Sequence, residues 1–449
     1  MAEKFRPTKS MLMLRRALLK NVLAYRTTLN AAHRRWHSAT LNLREHGPKK
    51  GDRVVVAMSG GVDSSVTARL LSERGYDLSA VYMRNWDTRD ESGTDRGCEW
   101  EKDWEDVRLV CRQLGLPCEL IDLSREYWIS VFEPSLRLWE AGQTPNPDVW
   151  CNREVKFGAL MDRMIGLKGA AWLATGHYAG VEWTRDPPPF ATKSSDEATR
   201  RDELRPRLVR ALDRTKDQTY YLSSVSETAL RKVFFPLQHL KKTEVRELAE
   251  EYKLPTANRK ESMGICFVGK KRKFEDFLSQ YIPPKPGPII DMFTKKKLGR
   301  HQGLWRYTIG QGARIGGQPA PMFVARKDTS YNTIYVVPGS NHTALYSSAA
   351  VVQDFRWIWQ DEVPAAIDET GGFNARVQIR HRMRDVPCTV RRYPQTPGSI
   401  IITFEEPQIA VAAGQIAALY DEAGRWCLGC GEISQGIPAE VLEDATYQI

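Results

Sequence analysis

Cysteine is scarce in this chain, with eight among 449 residues. They are scattered and follow no secretory-type leader, so a disulfide-stapled extracellular scaffold is excluded. No apolar run reaches the roughly 18 residues that a membrane-spanning helix needs. The Walker ending Gly-Lys-Ser/Thr is missing, and with it that way of cradling phosphates. No His, Cys, Asp or Glu grouping has the spacing of a protein metal site, and no internal repeat is visible. The net charge of +10 also shrinks on inspection. Residues 1–50 hold twelve Lys/Arg and two acids, so the remainder is formally neutral. Overall basicity therefore says nothing about nucleic acid, and any RNA surface has to come from local patches.

A composition of 42% hydrophobic and 27% charged residues suits a globular protein of two or three domains. The first fifty residues read as an address. Arg15, Arg16, Arg26, Arg34 and Arg35 are separated by short apolar groups, and Glu3 and Glu45 are the only acids. That pattern matches a mitochondrial transit peptide and predicts residence in the matrix. Residues 54–58 (VVVAM) predict a buried parallel strand. A Gly-rich turn and a helical pattern from Val66 follow it. Strands are expected at Leu78–Met83, Glu119–Leu123 and Ala171–Ala174, with a helix over 101–114 between them. This alternation predicts a doubly wound α/β domain over 51–273. Residues 183–207, rich in proline and charge, read as a disordered surface insertion. A small central domain is expected over 274–345. Runs at Ala375–Arg380, Cys388–Arg391, Ile400–Phe404 and Gln415–Tyr420 predict a β-rich, barrel-like domain over 346–449.

The strongest motif is Ser59-Gly60-Gly61-Val62-Asp63-Ser64-Ser65. Its glycines let the backbone approach phosphate oxygens, and the turn empties into a helix N-terminus that favours an anion. Asp63, at the start of that helix, either holds magnesium or orders the loop. A second signal is Thr144-Pro145-Asn146-Pro147-Asp148-Val149-Trp150-Cys151. Its prolines stiffen the backbone around a carboxylate and a thiol, a pairing suited to proton shuttling. Cys266 follows far along the chain, in Ser262-Met263-Gly264-Ile265-Cys266-Phe267.

SGGxDS resembles the PP-loop of the ATP pyrophosphatases, which cleave ATP between the α- and β-phosphates. TPNPDxxCN, ATGHY at 174–178, KDQTYYL at 216–222 and SMGICF at 262–267 occur in the order found in tRNA-specific 2-thiouridylases. With MRNW at 83–86, this resemblance covers roughly residues 52–449. It implies a PP-loop domain followed by a small central domain and a β-barrel-like domain. It also implies that Ala57, Met58, Ser59, Gly60, Gly61, Val62, Asp63, Ser64, Met83 and Gly176 contact ATP, with Mg2+ neutralising the phosphates. Asn146, Pro147 and Asp148 would meet the target base, with Asp148 as general acid/base. Cys266 would carry sulfur as a persulfide, and Cys151 would be its nucleophilic partner. Lys216, Asp217, Gln218, Arg380 and His381 would touch tRNA, the last pair standing where the family has Arg-Tyr. The implied reaction adenylates O2 of the wobble uridine and replaces it by sulfur, yielding AMP and pyrophosphate. The implied partners are the anticodon arms of Lys, Glu and Gln tRNAs and a persulfide donor protein, with the enzyme acting as a monomer.

The residues support this chemistry without the family. A uridine C2 carbonyl has a poor leaving oxygen, adenylation converts that oxygen to AMP, and a second thiol resolves the disulfide left after sulfur transfer. Weaker signals complete the reading. The lone Cys427-Leu-Gly-Cys430 reads as structural, and His177 as shaping the nucleotide pocket. Arg376, Gln378, Arg380, Arg382 and Arg384 would share one face if 376–384 were a strand, forming a stripe suited to phosphates. Lys270–Lys273 and Lys295–Lys297 are further basic clusters. Two rival readings are a small-molecule PP-loop synthetase, which needs neither thiol, and a non-catalytic RNA module, which needs no thiol or Asp148.

Overall fold

The computed structural model describes residues 46–86, 99–185, 204–260 and 274–439. Strands β1 (Arg53–Met58), β2 (Asp77–Arg84), β3 (Cys118–Asp122), β4 (Trp172–Thr175) and the short β7 (Val233–Phe234) form a parallel sheet in the order β3-β2-β1-β4-β7. After Arg53, strand β1 is apolar because both of its faces are covered. Val54, Val56 and Met58 pack into one core with α1 (Val62–Ser72) and α2 (Glu99–Leu114). Val55 belongs to the opposite core, with Val81, Ile121 and Leu123. That second face is covered by α3, built from the stretches Ser124–Tyr127, Trp128–Phe132 and Glu133–Glu140. It is also covered by α4, which starts as Pro147–Trp150 and widens to π-helical turns over Cys151–Leu160 and Asp162–Leu167.

The insertion read as a surface loop needs correction at its ends. Strands β5 (Ala179–Thr184) and β6 (Arg205–Arg210) flank it and pair as an antiparallel hairpin. Its middle, 186–203, lies outside the described residues. Beyond Gln218 come the short helices α5 (Thr219–Leu222) and α6 (Glu227–Leu230), then α7 (Lys242–Glu251) and α8 (Phe274–Leu278).

A small four-stranded sheet follows, ordered β10-β11-β8-β9. It comprises β8 (Gly287–Asp291), β9 (Lys297–His301), β10 (Met322–Asp328) and β11 (Thr333–Pro338), with its own core of Ile289, Leu304, Val324, Ile334 and Val336. The last six strands are β12 (Tyr346–Trp357), β13 (Phe373–Gln378), β14 (Val386–Arg392), β15 (Ile400–Ile409), β16 (Ile416–Tyr420) and β17 (Trp426–Ile437). They run in the order β12-β15-β14-β13-β16-β17, and pairing of β12 with β17 closes them into an antiparallel barrel. The β5–β6 hairpin, although it lies in the first part of the chain, extends this sheet through β6 and β17. Trp359 donates its indole N–H to Pro206 O at 2.8 Å, and the Arg205 guanidinium lies over the Trp359 ring. First domain and barrel are thus joined by shared β-structure.

The expected arginine stripe is not formed. Strand β13 ends at Gln378, and Arg382 sits in a turn at φ 65°. Arg376 is ion-paired with Asp385 across that turn, while Gln378 is buried and Arg380 donates to Ile409 O. The carboxylate of Asp385 captures the nearest guanidinium and folds the chain back, which a strand through 384 would forbid.

Candidate active site

Strand order reverses on either side of β1, with β2 to one side and β4 to the other. The carboxyl ends of strands at such a switch point form the crevice where open α/β sheets bind ligands. The PP-loop leaves β1 there. Gly60 adopts φ 73°, and a Cβ on it would lie 2.6 Å from Asp103 O. The loop's hydroxyls brace its backbone. Ser59 N–H donates to Ser64 Oγ at 3.2 Å, and Ser65 Oγ–H donates to Gly61 O at 2.8 Å. Gly176, one residue past β4, packs directly on the first turn of α1. A Cβ there would come within 2.8 Å of Ser64 N. Met83 ends up beside this crevice on β2. The residues expected at the nucleotide are thus gathered from three adjacent strand ends.

Asp63 does not point into open space. Lys242 Nζ donates to both of its carboxylate oxygens at 2.7 Å, and Tyr178 OH donates to Oδ1 at 2.9 Å. Of the two roles left open for Asp63, this geometry matches ordering of the loop. A metal on the carboxylate would have to displace the ammonium. Arg259 braces the loop from the other side, donating to Gly60 O at 2.8 Å and pairing with Asp103 and Asp106. Lys242 and Arg259 carry no motif signal in the sequence, whereas Tyr178 lies inside ATGHY.

The TPNPD segment lies between this crevice and the barrel. Thr144 N–H donates to Ala413 O at 2.8 Å, and the Gln415 side-chain amide donates to Thr144 O at 2.6 Å. Pro147 starts α4 with a residue that needs no hydrogen bond to its missing N–H. Asp148 follows, half-buried, and burial pushes its carboxyl up to about 6 against the pull of the Lys156 ammonium. One turn on, Asn152 donates to Asp148 O at 3.0 Å and accepts from Lys156 Nζ at 3.1 Å. Lys156 also reaches His177 Nε2 at 3.3 Å, and His177 Nδ1 meets Thr175 Oγ1 at 2.7 Å. Burial, with Lys156 beside it, holds His177 well below the usual imidazole range. It is therefore a neutral link, accepting at Nε2 and donating from Nδ1. This chain of contacts runs from the end of β4 to Asp148.

Cys151 is buried, and Asn85 Nδ2 lies 3.7 Å from its Sγ. Asn85 stands two residues beyond Met83, so the thiol lies near the end of β2. Cys266 and the Lys270–Lys273 cluster lie outside the described residues. Cys427 and Cys430 are buried in β17, where burial pushes both thiols up.

The residues expected at tRNA divide. Asp217 is nearly enclosed, with its side chain 4% exposed. It accepts from Arg210 at 2.8 Å, from Ala211 N–H at 3.0 Å and from Thr219 Oγ1–H at 2.6 Å. Its carboxylate is thus occupied by the fold, as is Gln218 Oε1, which accepts from Tyr178 N–H at 2.9 Å. His381 packs on Tyr221 with ring centroids 4.4 Å apart, and Asp148 raises the Tyr221 hydroxyl further after burial. Tyr221 therefore ties α5 to the barrel's 379–385 turn. The buried Nδ1 of His381 has no hydrogen-bond partner among the described residues. Among those residues, no group of three or more His, Cys, Asp or Glu could hold a metal, and no helix is long and apolar enough to cross a membrane.

A PP-loop at a switch point, followed by a small sheet and a closed antiparallel barrel, defines an α/β protein of the PP-loop class with two appended domains. Family models agree with the three-part layout. One described as a tRNA methyl transferase HUP domain matches 52–270, one described as a tRNA methyl transferase PRC-barrel domain matches 275–338, and one described as an aminomethyltransferase beta-barrel domain matches 347–433. The tRNA-specific 2-thiouridylase MnmA of Staphylococcus epidermidis is 41% identical over 382 residues, spanning 85% of this chain and 94% of that protein. The protein of the same name from Alkaliphilus oremlandii is 42% identical over 390 residues, 86% of this chain and 98% of that one. The chain belongs to the tRNA-specific 2-thiouridylase family. Among solved structures, the U34-tRNA thiolase NcsA from Methanococcus maripaludis is similar at 16% identity and a TM-score of 0.33, covering 57% of this chain and 72% of that chain.

Proposed function

We propose that this protein is a tRNA uridine 2-sulfurtransferase that uses ATP to exchange O2 of the anticodon wobble uridine for sulfur. The observation that carries the reading is the position of Asp148 and Cys151, held between the PP-loop crevice and the barrel. Methyl transfer, which the family-model descriptions mention, would need neither a phosphate loop nor a thiol beside it.

Asp148, ionised above about pH 6, accepts the N3 proton of the uridine, so that electron density moves to O2. That oxygen attacks the α-phosphorus of ATP, and pyrophosphate leaves. The terminal sulfur of a persulfide on Cys266 attacks C2, and AMP departs with the original oxygen. The Cys151 thiolate then attacks Cys266 Sγ. The S–S bond to the uridine-borne sulfur breaks with its electron pair on that sulfur, Asp148 returns its proton to N3 to give the thiocarbonyl, and a Cys151–Cys266 disulfide remains for a cellular thiol to reduce. Mg2+ would accompany the ATP phosphates. Asp63 is taken by Lys242, so no step is assigned to a protein-bound metal.

The partners in this reading are the anticodon arm of Lys, Glu and Gln tRNAs and a protein persulfide donor, with the chain acting as a monomer. The Arg-rich, acid-poor composition of residues 1–50 supports delivery to the mitochondrial matrix. A reporter fused after residues 1–50 should co-localise with mitochondria, and a cytosolic reporter would overturn that part. The reaction is tested with Cys266→Ser. This variant should bind ATP normally and yield no 2-thiouridine by nucleoside mass spectrometry. Product at the wild-type level would refute the persulfide role.

A further inference from the structure

Lys242 begins α7, far from every motif that identifies the nucleotide site. Its side chain is nevertheless only 10% exposed, and its ammonium reaches both oxygens of Asp63 at 2.7 Å. A lysine desolvated to this extent requires a partner, and a bidentate carboxylate supplies one. Two neighbours fix the pair. Tyr178, from the segment after β4, donates to Asp63 Oδ1 at 2.9 Å, and its ring lies 5.8 Å from Lys242 Nζ. The start of α7 is itself tied down by Lys242 N–H donating to Asp213 Oδ2 at 2.9 Å. Asp63 occupies the first turn of α1, one residue before the Ser64 that braces Ser59. A force on the Asp63 carboxylate is therefore a force on the phosphate-facing turn.

We infer that Lys242 is a positioning residue for adenylation: it fixes Asp63, and through Asp63 the PP-loop, which makes Asp63 the loop's anchor and not a ligand of the ATP-bound metal. The inference rests on the reading of the PP-loop as the ATP site. A preorganised loop presents its N–H groups to phosphate without a reordering cost at binding. Loss of either partner leaves the other charge desolvated and the first turn of α1 free to shift. Charge-assisted hydrogen bonds of this kind correspond to about a 10- to 100-fold effect when lost.

The test is a double-mutant cycle on the full chain with Lys242→Met and Asp63→Asn. Calorimetric Kd for ATP is measured without tRNA, and AMP formation is measured with tRNA over a Mg2+ titration. Each single variant should weaken ATP binding by about 10- to 100-fold, and the double variant should lose no more than the larger single loss. The Mg2+ midpoint should stay at the wild-type value in all three. Lys242→Arg, which retains the charge, should recover most of the affinity. If Lys242→Met does not fold, Lys242→Gln carries the same cycle. Losses that multiply would overturn the anchor, as would wild-type affinity in the single lysine variant. A Mg2+ midpoint that moves in Asp63→Asn would make Asp63 a metal ligand. Thiolation by the wild type is followed in parallel. Its failure would sink the proposed reaction while leaving the ATP-binding cycle readable.

Discussion

Replacing Asp148 by Asn should stabilise the protein at pH 8 while removing its activity. The carboxyl is pushed from its ordinary 3.8 to about 6, chiefly by burial, with Lys156 opposing. A raised carboxyl means that the folded state holds its proton more tightly than the unfolded chain does. Stability from this group is complete below pH 3.8 and is lost as pH rises through about 6. The full span corresponds to ~3 kcal/mol. Roughly half of that is already lost at pH 5, so another ~1.5 kcal/mol disappears between pH 5 and pH 8. An asparagine does not titrate and escapes this loss. The variant's stability relative to wild type should therefore improve by ~1.5 kcal/mol between those pH values, or about 2 °C in Tm for a chain of this length. Scanning calorimetry of both proteins at pH 5, 6, 7 and 8 reads this directly. In parallel, the wild-type rate should rise with pH through about 6, and the variant should be slower by about 100- to 10,000-fold. A stability difference that is flat from pH 5 to pH 8 would refute the raised carboxyl, and a variant with near-wild-type turnover would refute its role as base.

Gly176→Ala should cost about 5- to 150-fold in ATP affinity, since overpacking typically costs about 1–3 kcal/mol and the new Cβ would press on Ser64 N. Isothermal calorimetry measures it, and unchanged affinity would place the nucleotide elsewhere. Arg210→Met should lower unfolding stability by about 3–5 kcal/mol, because the guanidinium, 6% exposed, pairs with both Asp217 and Asp385. Chemical denaturation reads this, and a loss under about 1 kcal/mol would show that the buried network is replaceable.

Local pattern carried much of this molecule. VVVAM is a both-face-buried strand because a central parallel strand must be apolar on both sides. The PP-loop and TPNPD could be read because their backbone needs, Gly at a left-handed or crowded position and Pro at a helix start, are written in residue type. What could not be read depends on residues distant in sequence. Lys242 lies 179 residues from Asp63 and looks like any lysine at the start of a polar helix. The stripe at 376–384 had perfect alternation, and alternation alone cannot show that Asp385 will fold the strand back onto Arg376. The 183–207 insertion reads as loop because its polar middle separates two short strand ends that pair with each other, and β6 meets its second partner, β17, more than two hundred residues later.

That late pairing bears on where catalysis is organised. Asp148 and Cys151 belong to the first domain by sequence, yet the backbone just before them is held by the barrel, through Ala413 O and the Gln415 amide on Thr144. Tyr220 reinforces the junction by donating to Ile416 O at 3.1 Å, and Tyr420 OH meets Thr219 Oγ1 at 3.1 Å. A backbone segment with two prolines has few internal hydrogen bonds of its own, so its geometry is only as fixed as its external partners. The barrel is therefore part of the scaffold of the candidate active site as well as a candidate RNA surface. The turn over 379–385 adds a further junction, setting His381 on Tyr221 of α5. An RNA that shifted this turn would therefore pull on α5 through one aromatic contact, His381 on Tyr221.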